Sequence, residues 1–94
     1  MTFEFKSMAE FKAILESSDL RMSIEIFNQI NKAFYSKINR KKVTVFTVVI
    51  SGEEIDFILE REYWKKSLET CLNTFANNDM FEECIEIQKM IKEL

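Results

Sequence analysis

Two cysteines, Cys71 and Cys84, are the residues of this chain best suited to nucleophilic or metal chemistry, since the sequence contains no histidine. A cysteine nucleophile usually needs histidine as its base, and zinc sites commonly combine the two residue types. The 12 residues between the cysteines match no metal-ligand spacing. The single glycine leaves no glycine-rich phosphate loop. We therefore predict no catalytic residue, no metal site and no cofactor.

The two cysteines also lie symmetrically about a predicted turn, six residues before Asn77 and six after Asn78. If a helix flanks each side of that turn, the two thiols face each other. We predict that they are small buried thiols in an apolar seam. A regulatory disulfide is the alternative.

Adjacent carboxylates occur twice, at Glu53/Glu54 and Glu82/Glu83. The first pair falls in a predicted turn. The second falls at a predicted helix start, where acidic side chains interact favourably with the helix dipole. We predict that the chain is not an enzyme, and an unfamiliar carboxylate site is the third hypothesis for its function.

Five basic residues cluster in the middle of the sequence. Lys65 and Lys66 would lie near them in space if a later helix packs alongside. Tyr35 could stack on a base there. The overall pI of about 5.0 opposes nucleic-acid binding, because phosphate binding depends on positive charge. A nucleic-acid-binding regulator is therefore the alternative hypothesis. Its residues would be Lys32, Lys37, Arg40, Lys41 and Lys42.

Charge is unevenly distributed along the chain. Residues 1–50 contain eight Lys/Arg and five Asp/Glu, whereas residues 51–94 contain five and eleven, and the net charge is −3. This asymmetry favours self-association or a partner with a charged face.

The N-terminal sequence has no basic stretch followed by an apolar run, so we expect no secretory signal. The apolar runs are too short to span a membrane, and a cytoplasmic protein is expected.

Hydrophobic periodicity predicts one α+β domain over residues 1–94 with the order β-α-α-β-β-α-α. A small antiparallel sheet would contain three strands near residues 2–6, 43–50 and 54–60, with four helices packed on it. Val43, Val45 and Val49 would lie on one face of the second strand, opposite Phe46, Val48 and Ile50. Because both faces are apolar, we expect that strand to be covered on both sides or central in the sheet.

Four helices are predicted near residues 8–16, 20–38, 62–76 and 79–94. Ser7 and Glu10 have the spacing of a capping box before the first helix, which would turn Met8, Phe11, Ile14 and Leu15 inward. The last two helices form a C-terminal hairpin, residues 62–94, around the polar turn at residues 77–79. The apolar seam of the last helix is two heptads long, so the hairpin must pack against another element or another chain.

Residues 68–94 carry a pattern that resembles the UVR motif of bacterial excision-repair subunits and some Clp-type chaperone ATPases. Gln88 stands where that family usually has arginine, and Glu83 and Cys84 replace a pair of alanines. The resemblance implies a helical hairpin that docks on another protein or pairs with another copy. The matching positions are Phe81, Glu82, Cys84, Ile87, Gln88, Ile91 and Leu94.

We therefore predict a small adaptor or inhibitor that acts by binding another protein, with a homodimer as its expected form. Its small size and its Ile-, Lys-, Asn- and Phe-rich composition are similar to those of phage accessory proteins directed at host proteins. The contact surface would combine the C-terminal hairpin with the flank of the second helix, since buried apolar anchors dominate interface energies. The predicted contact residues are Phe81, Glu82, Glu83, Glu86, Ile87, Met90 and Ile91.

Overall fold

The computed structural model describes residues 2–16, 19–36 and 41–94 and has the predicted α+β architecture. A 3₁₀ turn, Arg61–Tyr63, precedes the third helix, which was predicted to begin at residue 62. Apart from the end of the second helix and the start of the fourth, the other boundaries lie close to the predicted ones. In chain order the elements are β1 (Thr2–Phe5), α1 (Met8–Glu16), α2 (Leu20–Phe34), β2 (Lys42–Ile50), β3 (Glu53–Glu60), α3 (Trp64–Asn77) and α4 (Phe81–Glu93).

The sheet is mixed, so the prediction of a fully antiparallel sheet is wrong. Its strand order is β1-β2-β3, with β1 parallel to β2 and β2 antiparallel to β3. Parallel pairing needs a crossover connection long enough to return the chain to the starting end of the sheet. The segment that contains α1 and α2 is that crossover. The central position predicted for β2 is confirmed.

A β-bulge in β2 changes which side chains share a face of the sheet. Thr44 pairs with Ile58, but Phe46 pairs with Phe57, so Val45 is the extra residue. Val45 and Phe46 are consecutive, yet both are buried in one core cluster with Val48. The predicted separation of Val45 from Phe46 and Val48 is therefore wrong.

The other face of the sheet carries both polar and apolar side chains. Thr47 and Asp56 pair there, and the Thr47 hydroxyl donates to the Asp56 carboxylate at 2.7 Å. Ile58 is 55% exposed on the same face. Val49 follows Thr47 by two residues and is half-buried, so the apolar side chains of β2 are not confined to one face.

Local capping explains where the first two helices start. The backbone N–H of Glu10 donates to the Ser7 hydroxyl at 3.2 Å, which confirms the predicted cap of α1. The Glu10 carboxylate accepts from the backbone N–H of Lys6. The Asp19 carboxylate accepts backbone N–H bonds from Arg21 and Met22 and begins α2.

Met8 is 43% exposed, against the predicted inward position. The side chain of Leu15 is not among the described groups.

The second helix ends earlier than predicted. Tyr35, with φ near −90° and ψ near 5°, caps the helix after Phe34. The predicted end at Ile38 lies outside the described residues.

Two clusters of buried side chains form the core, and α2 contributes to both. The sheet cluster contains Phe3, Phe11, Met22, Val45, Phe46 and Val48. The helical cluster contains Phe27, Ile30, Ala33, Trp64, Leu68, Cys71, Phe75, Cys84, Ile87 and Met90. Ile26, Val43 and Leu59 pack against both clusters and join them.

Across residues 2–16, 19–36 and 41–94, no helix is both long and apolar enough to cross a lipid bilayer.

Candidate functional site

A tight turn sets the geometry of the C-terminal hairpin. Asp79 has a left-handed φ of 58°. The backbone N–H of Met80 donates to the carbonyl of Phe75 at 2.9 Å, and that of Asp79 donates to Ala76. These two bonds form a Schellman motif, which ends α3 and reverses the chain. The Asn78 side chain adds a 2.7 Å bond to the carbonyl of Thr74, so α4 folds back against α3.

The inner face of the hairpin belongs to the protein core. Ile87 and Met90 have 0% exposure and pack with Trp64, Leu68 and Phe75. Both are predicted contact residues, but their burial in this fold leaves them no surface to offer a partner. Their role is to hold α4 in place, so any contact with another protein must come from the other side of the helix.

Both cysteines are free and lie in the helical cluster. The Cys71 thiol donates to the carbonyl of Ser23 on α2 at 3.5 Å, and the Cys84 thiol donates to the carbonyl of Leu72 on α3 at 3.8 Å. Burial raises the pKa of the Cys71 thiol to about 11, and an interaction with the Ser23 side chain, which favours the thiolate, offsets part of the rise. Since the thiolate is the reactive form, Cys71 is a poor nucleophile.

The outer face of the hairpin carries exposed apolar side chains. Phe81 is 60% exposed and Ile85 is 53% exposed, and they lie one helical turn apart on α4. Ile85 also lines a surface groove of about 650 Å³ between α3 and α4, together with the half-buried Leu72 and Ile91. The polar residues around this groove are Glu69, Gln88, Lys89 and Lys92.

Ile85 and Leu72 are absent from the predicted contact set because their apolar character indicated the inner seam. A helical wheel of α4 shows the sequence pattern that could have placed Ile85 on the outer face. Steps of 100° per residue place Ile85 beside Phe81 and well away from Ile87. That arrangement predicts two apolar faces on α4 and not one broad seam.

The predicted acidic contact residues line the amino-terminal half of α4. Glu82 is exposed, whereas Glu83 and Glu86 are half-buried. Glu82 and Glu83 lie in the first turn of α4, where their negative charge interacts favourably with the positive end of the helix dipole. No side chain at Met80 caps this end of the helix. Glu86 forms an exposed ion pair of 3.5 Å with Lys89.

The basic residues of the alternative site are only partly described. Lys37 and Arg40 lie outside the described residues. Lys41 and Lys42 line one surface cavity of about 350 Å³ with Arg61, Glu60 and Glu62. Lys32 lines a separate cavity near Val43.

Neighbouring side chains complete this region. Lys65 shares a further cavity with Arg61. Tyr35 is exposed and its ring contacts Phe34 at 4.9 Å. The guanidinium of Arg61 lies over the rings of Trp64 and Phe34, at 5.0 and 5.9 Å. Glu60 and Glu62 share the cavity of Lys41 and Lys42, so nearby carboxylates accompany the lysines of this basic patch.

Comparisons with protein-family models, with curated proteins and with solved structures find no match to this chain. Among the described residues, no group of three or more His, Cys, Asp or Glu side chains is placed to hold a metal ion.

Proposed function

We propose that this protein is a small adaptor or inhibitor, without catalytic activity, that acts by binding another protein through the outer face of its C-terminal hairpin. The observation that supports the proposal is the groove between α3 and α4 with Ile85 on its wall and Phe81 nearby. Exposed large apolar side chains grouped around a groove are typical of protein-docking surfaces. A cytoplasmic location, a homodimeric form and a phage origin directed at a host protein belong to the same proposal.

The arrangement on α4 suits recognition of a protein more than recognition of a small molecule. Phe81 and Ile85 are spaced as i and i+4, which is the spacing of anchors in helix-in-groove interfaces. Glu82 lies beside them and would form part of a polar rim. A groove that is open along a helix face also leaves room for a long contact.

A matched pair of substitutions tests the proposal. Ile85 and Ile58 are 53% and 55% exposed, but Ile85 lies on the hairpin and Ile58 on the sheet. We expect Ile85→Lys to abolish cross-linked capture of a specific protein from the cytosol of the native host, whereas Ile58→Lys preserves it. Capture followed by mass spectrometry, with the purified target then titrated by calorimetry, gives the measurement.

Folding controls separate binding from stability. Because Ile85 is largely exposed, Ile85→Ala should change the free energy of unfolding by less than about 0.5 kcal/mol. Ile87→Ala removes buried volume in the same helix and should cost about 2–5 kcal/mol. Equal loss of target binding in Ile85→Lys and Ile58→Lys, with both variants folded, would reject the hairpin as the contact surface.

The alternative function is nucleic-acid binding by the basic patch. Its support is the single surface cavity that Lys41 and Lys42 share with Arg61. A mobility shift of duplex or single-stranded probes at low salt, lost in Lys41→Glu/Lys42→Glu, would favour it. Absence of any shift at low salt would end this alternative.

A further inference from the structure

We propose that the groove between α3 and α4 receives an amphipathic helix of the target protein, lying antiparallel to α4 and carrying carboxylates in its first two turns. This inference rests on the proposed function and specifies the chemistry of the partner.

The lining of the groove suits one face of a helix. Leu72 from α3 and Ile91 from α4 are half-buried, and Ile85 stands above them with half of its surface exposed. The α4 helix has 13 residues, which corresponds to a length of about 20 Å. A partner helix of about four turns would cover this length and bury apolar side chains at i, i+4 and i+7.

The charges beside the groove select carboxylates. Lys89 and Lys92 are both exposed and both line the groove from α4. Lys89 pairs with Glu86 at 3.5 Å on the exposed surface, and such a pair is weak enough to exchange partners. Within the part of the chain that the structure describes, Lys92 has no ion-pair partner. Lys92, and Lys89 once it leaves Glu86, therefore present positive charge to an occupant of the groove.

The direction of the occupant follows from the dipole of α4. Both lysines lie in the carboxyl-terminal half of α4, where the helix end carries partial negative charge. An antiparallel helix places its own amino-terminal end, with partial positive charge, next to that end. Carboxylates in its first two turns would then interact with their own helix dipole and with Lys89 and Lys92. A parallel helix would place its carboxyl-terminal end against the like end of α4.

Other occupants fit these observations less well. An anionic membrane surface is disfavoured by the net charge of −3 and by Glu69 beside the groove. A second copy of this chain is the remaining competitor, and light scattering of the wild type and of Ile85→Lys distinguishes it from a separate target.

Two synthetic helical peptides test the inference by fluorescence anisotropy at low salt. Both are about 18 residues long, which is about five turns, with leucine along one face. One carries glutamate in its first two turns, and the other carries lysine at those positions. We expect the acidic peptide to bind the full chain at least about threefold more tightly, since two exposed ion pairs are gained.

Charge reversal provides the decisive variant. Lys89→Glu/Lys92→Glu should reverse the preference between the two peptides, whereas Lys41→Glu/Lys42→Glu, with the same charge change on the sheet side, should preserve it. Binding of both peptides should be lost in Ile85→Lys. Equal affinity for the two peptides, or a preference that survives the reversal, would overturn the inference.

The outcome for the target protein separates the inference from the proposed function. If Ile85→Lys abolishes target capture but charge reversal leaves the affinity for that target unchanged, the hairpin docks a protein of different chemistry and only the inference fails. If light scattering shows a dimer that Ile85→Lys dissociates, the groove is occupied by a second copy and the inference fails. If Ile85→Lys affects neither target capture nor the mass in solution, the proposed use of the hairpin fails as well.

Discussion

Among the residues that the structure describes, Cys71 has the side chain whose pKa departs most from its ordinary value, and its environment is structural. The side chain is 2% exposed and its thiol donates to the carbonyl of Ser23 on a neighbouring helix. Burial stabilises the neutral thiol over the thiolate and therefore raises the pKa, here from 9.0 to about 11. The thiol thus links α3 to α2 and is protected from oxidation in the folded state.

This environment predicts a loss of stability at alkaline pH. Below pH 9 the thiol is neutral in both states, but between pH 9 and pH 11 the unfolded chain ionises before the folded one. The free energy of unfolding should therefore fall there, by up to about 1.4 kcal/mol per pH unit from this group. Urea unfolding of the wild type and of Cys71→Ala at a series of pH values checks it. The alkaline slope should be smaller in Cys71→Ala, and identical slopes would contradict the assigned pKa.

The single tryptophan shows how one residue can anchor several elements. The Trp64 side chain is fully buried, and its indole N–H donates to the carbonyl of Leu59 on β3 at 3.0 Å. Its ring also lies against the guanidinium of Arg61, which contributes a cation–π contact. Trp64 therefore fixes the first turn of α3 against the end of the sheet.

At the scale of elements, the hairpin between β2 and β3 depends on two residues with positive φ. Ser51 and Gly52 have φ of 52° and 81° and connect Ile50 to its partner Glu53. Positive φ at both central positions is the signature of a type I′ turn, whose twist matches that of the flanking strands. A turn is predicted here, and it forms at Ser51 and Gly52, whereas Glu53 and Glu54, expected in it, lie in β3. The sequence of the turn is close to the preferred Asn-Gly.

Substitutions in this turn should separate backbone strain from steric clash. A Cβ added at Gly52 meets no atom within 4 Å, so Gly52→Ala should cost about 1–2 kcal/mol from the left-handed backbone alone. Ser51→Asn should raise stability, since asparagine tolerates this conformation better. Urea midpoints of the two variants check both signs. A neutral Gly52→Ala would mean that the turn has a different geometry in solution.

Several helix boundaries were predictable because their signals are local. Ser7 and Glu10 predicted the start of α1, and the polar residues at 77–79 predicted the reversal between α3 and α4. The predicted starts of α3 and α4 were two residues early, at Glu62 and Asp79. Backbone geometry explains both differences, because residues 61–63 adopt a 3₁₀ turn and Asp79 is left-handed.

At the scale of the whole molecule, the two core clusters should unfold as one unit. Ile26, Val43 and Leu59 pack against both clusters, so loss of one cluster removes support from the other. We expect Trp64 fluorescence, which reports on the helical cluster, and far-ultraviolet circular dichroism to give the same urea midpoint. Val48→Ala in the sheet cluster should cost about 2 kcal/mol and lower both midpoints equally. Separate midpoints would show that the clusters fold independently.

The sequence by itself determined which elements form and in what order. Hydrophobic periodicity, caps and turn residues act between near neighbours in the chain, so their outcome needs no knowledge of distant contacts. The α+β class, the order of the seven elements and the central position of β2 follow from them. The C-terminal hairpin also begins as a sequence pattern.

Only the tertiary structure decided how those elements face one another. The parallel pairing of β1 with β2 depends on where the crossover returns the chain, and the bulge at Val45 depends on register against β3. Likewise, Ile85 and Ile87 are chemically identical, but one is exposed and the other is buried. Packing against α2 and α3 sets that difference, because burial depends on which neighbours cover each face of the helix.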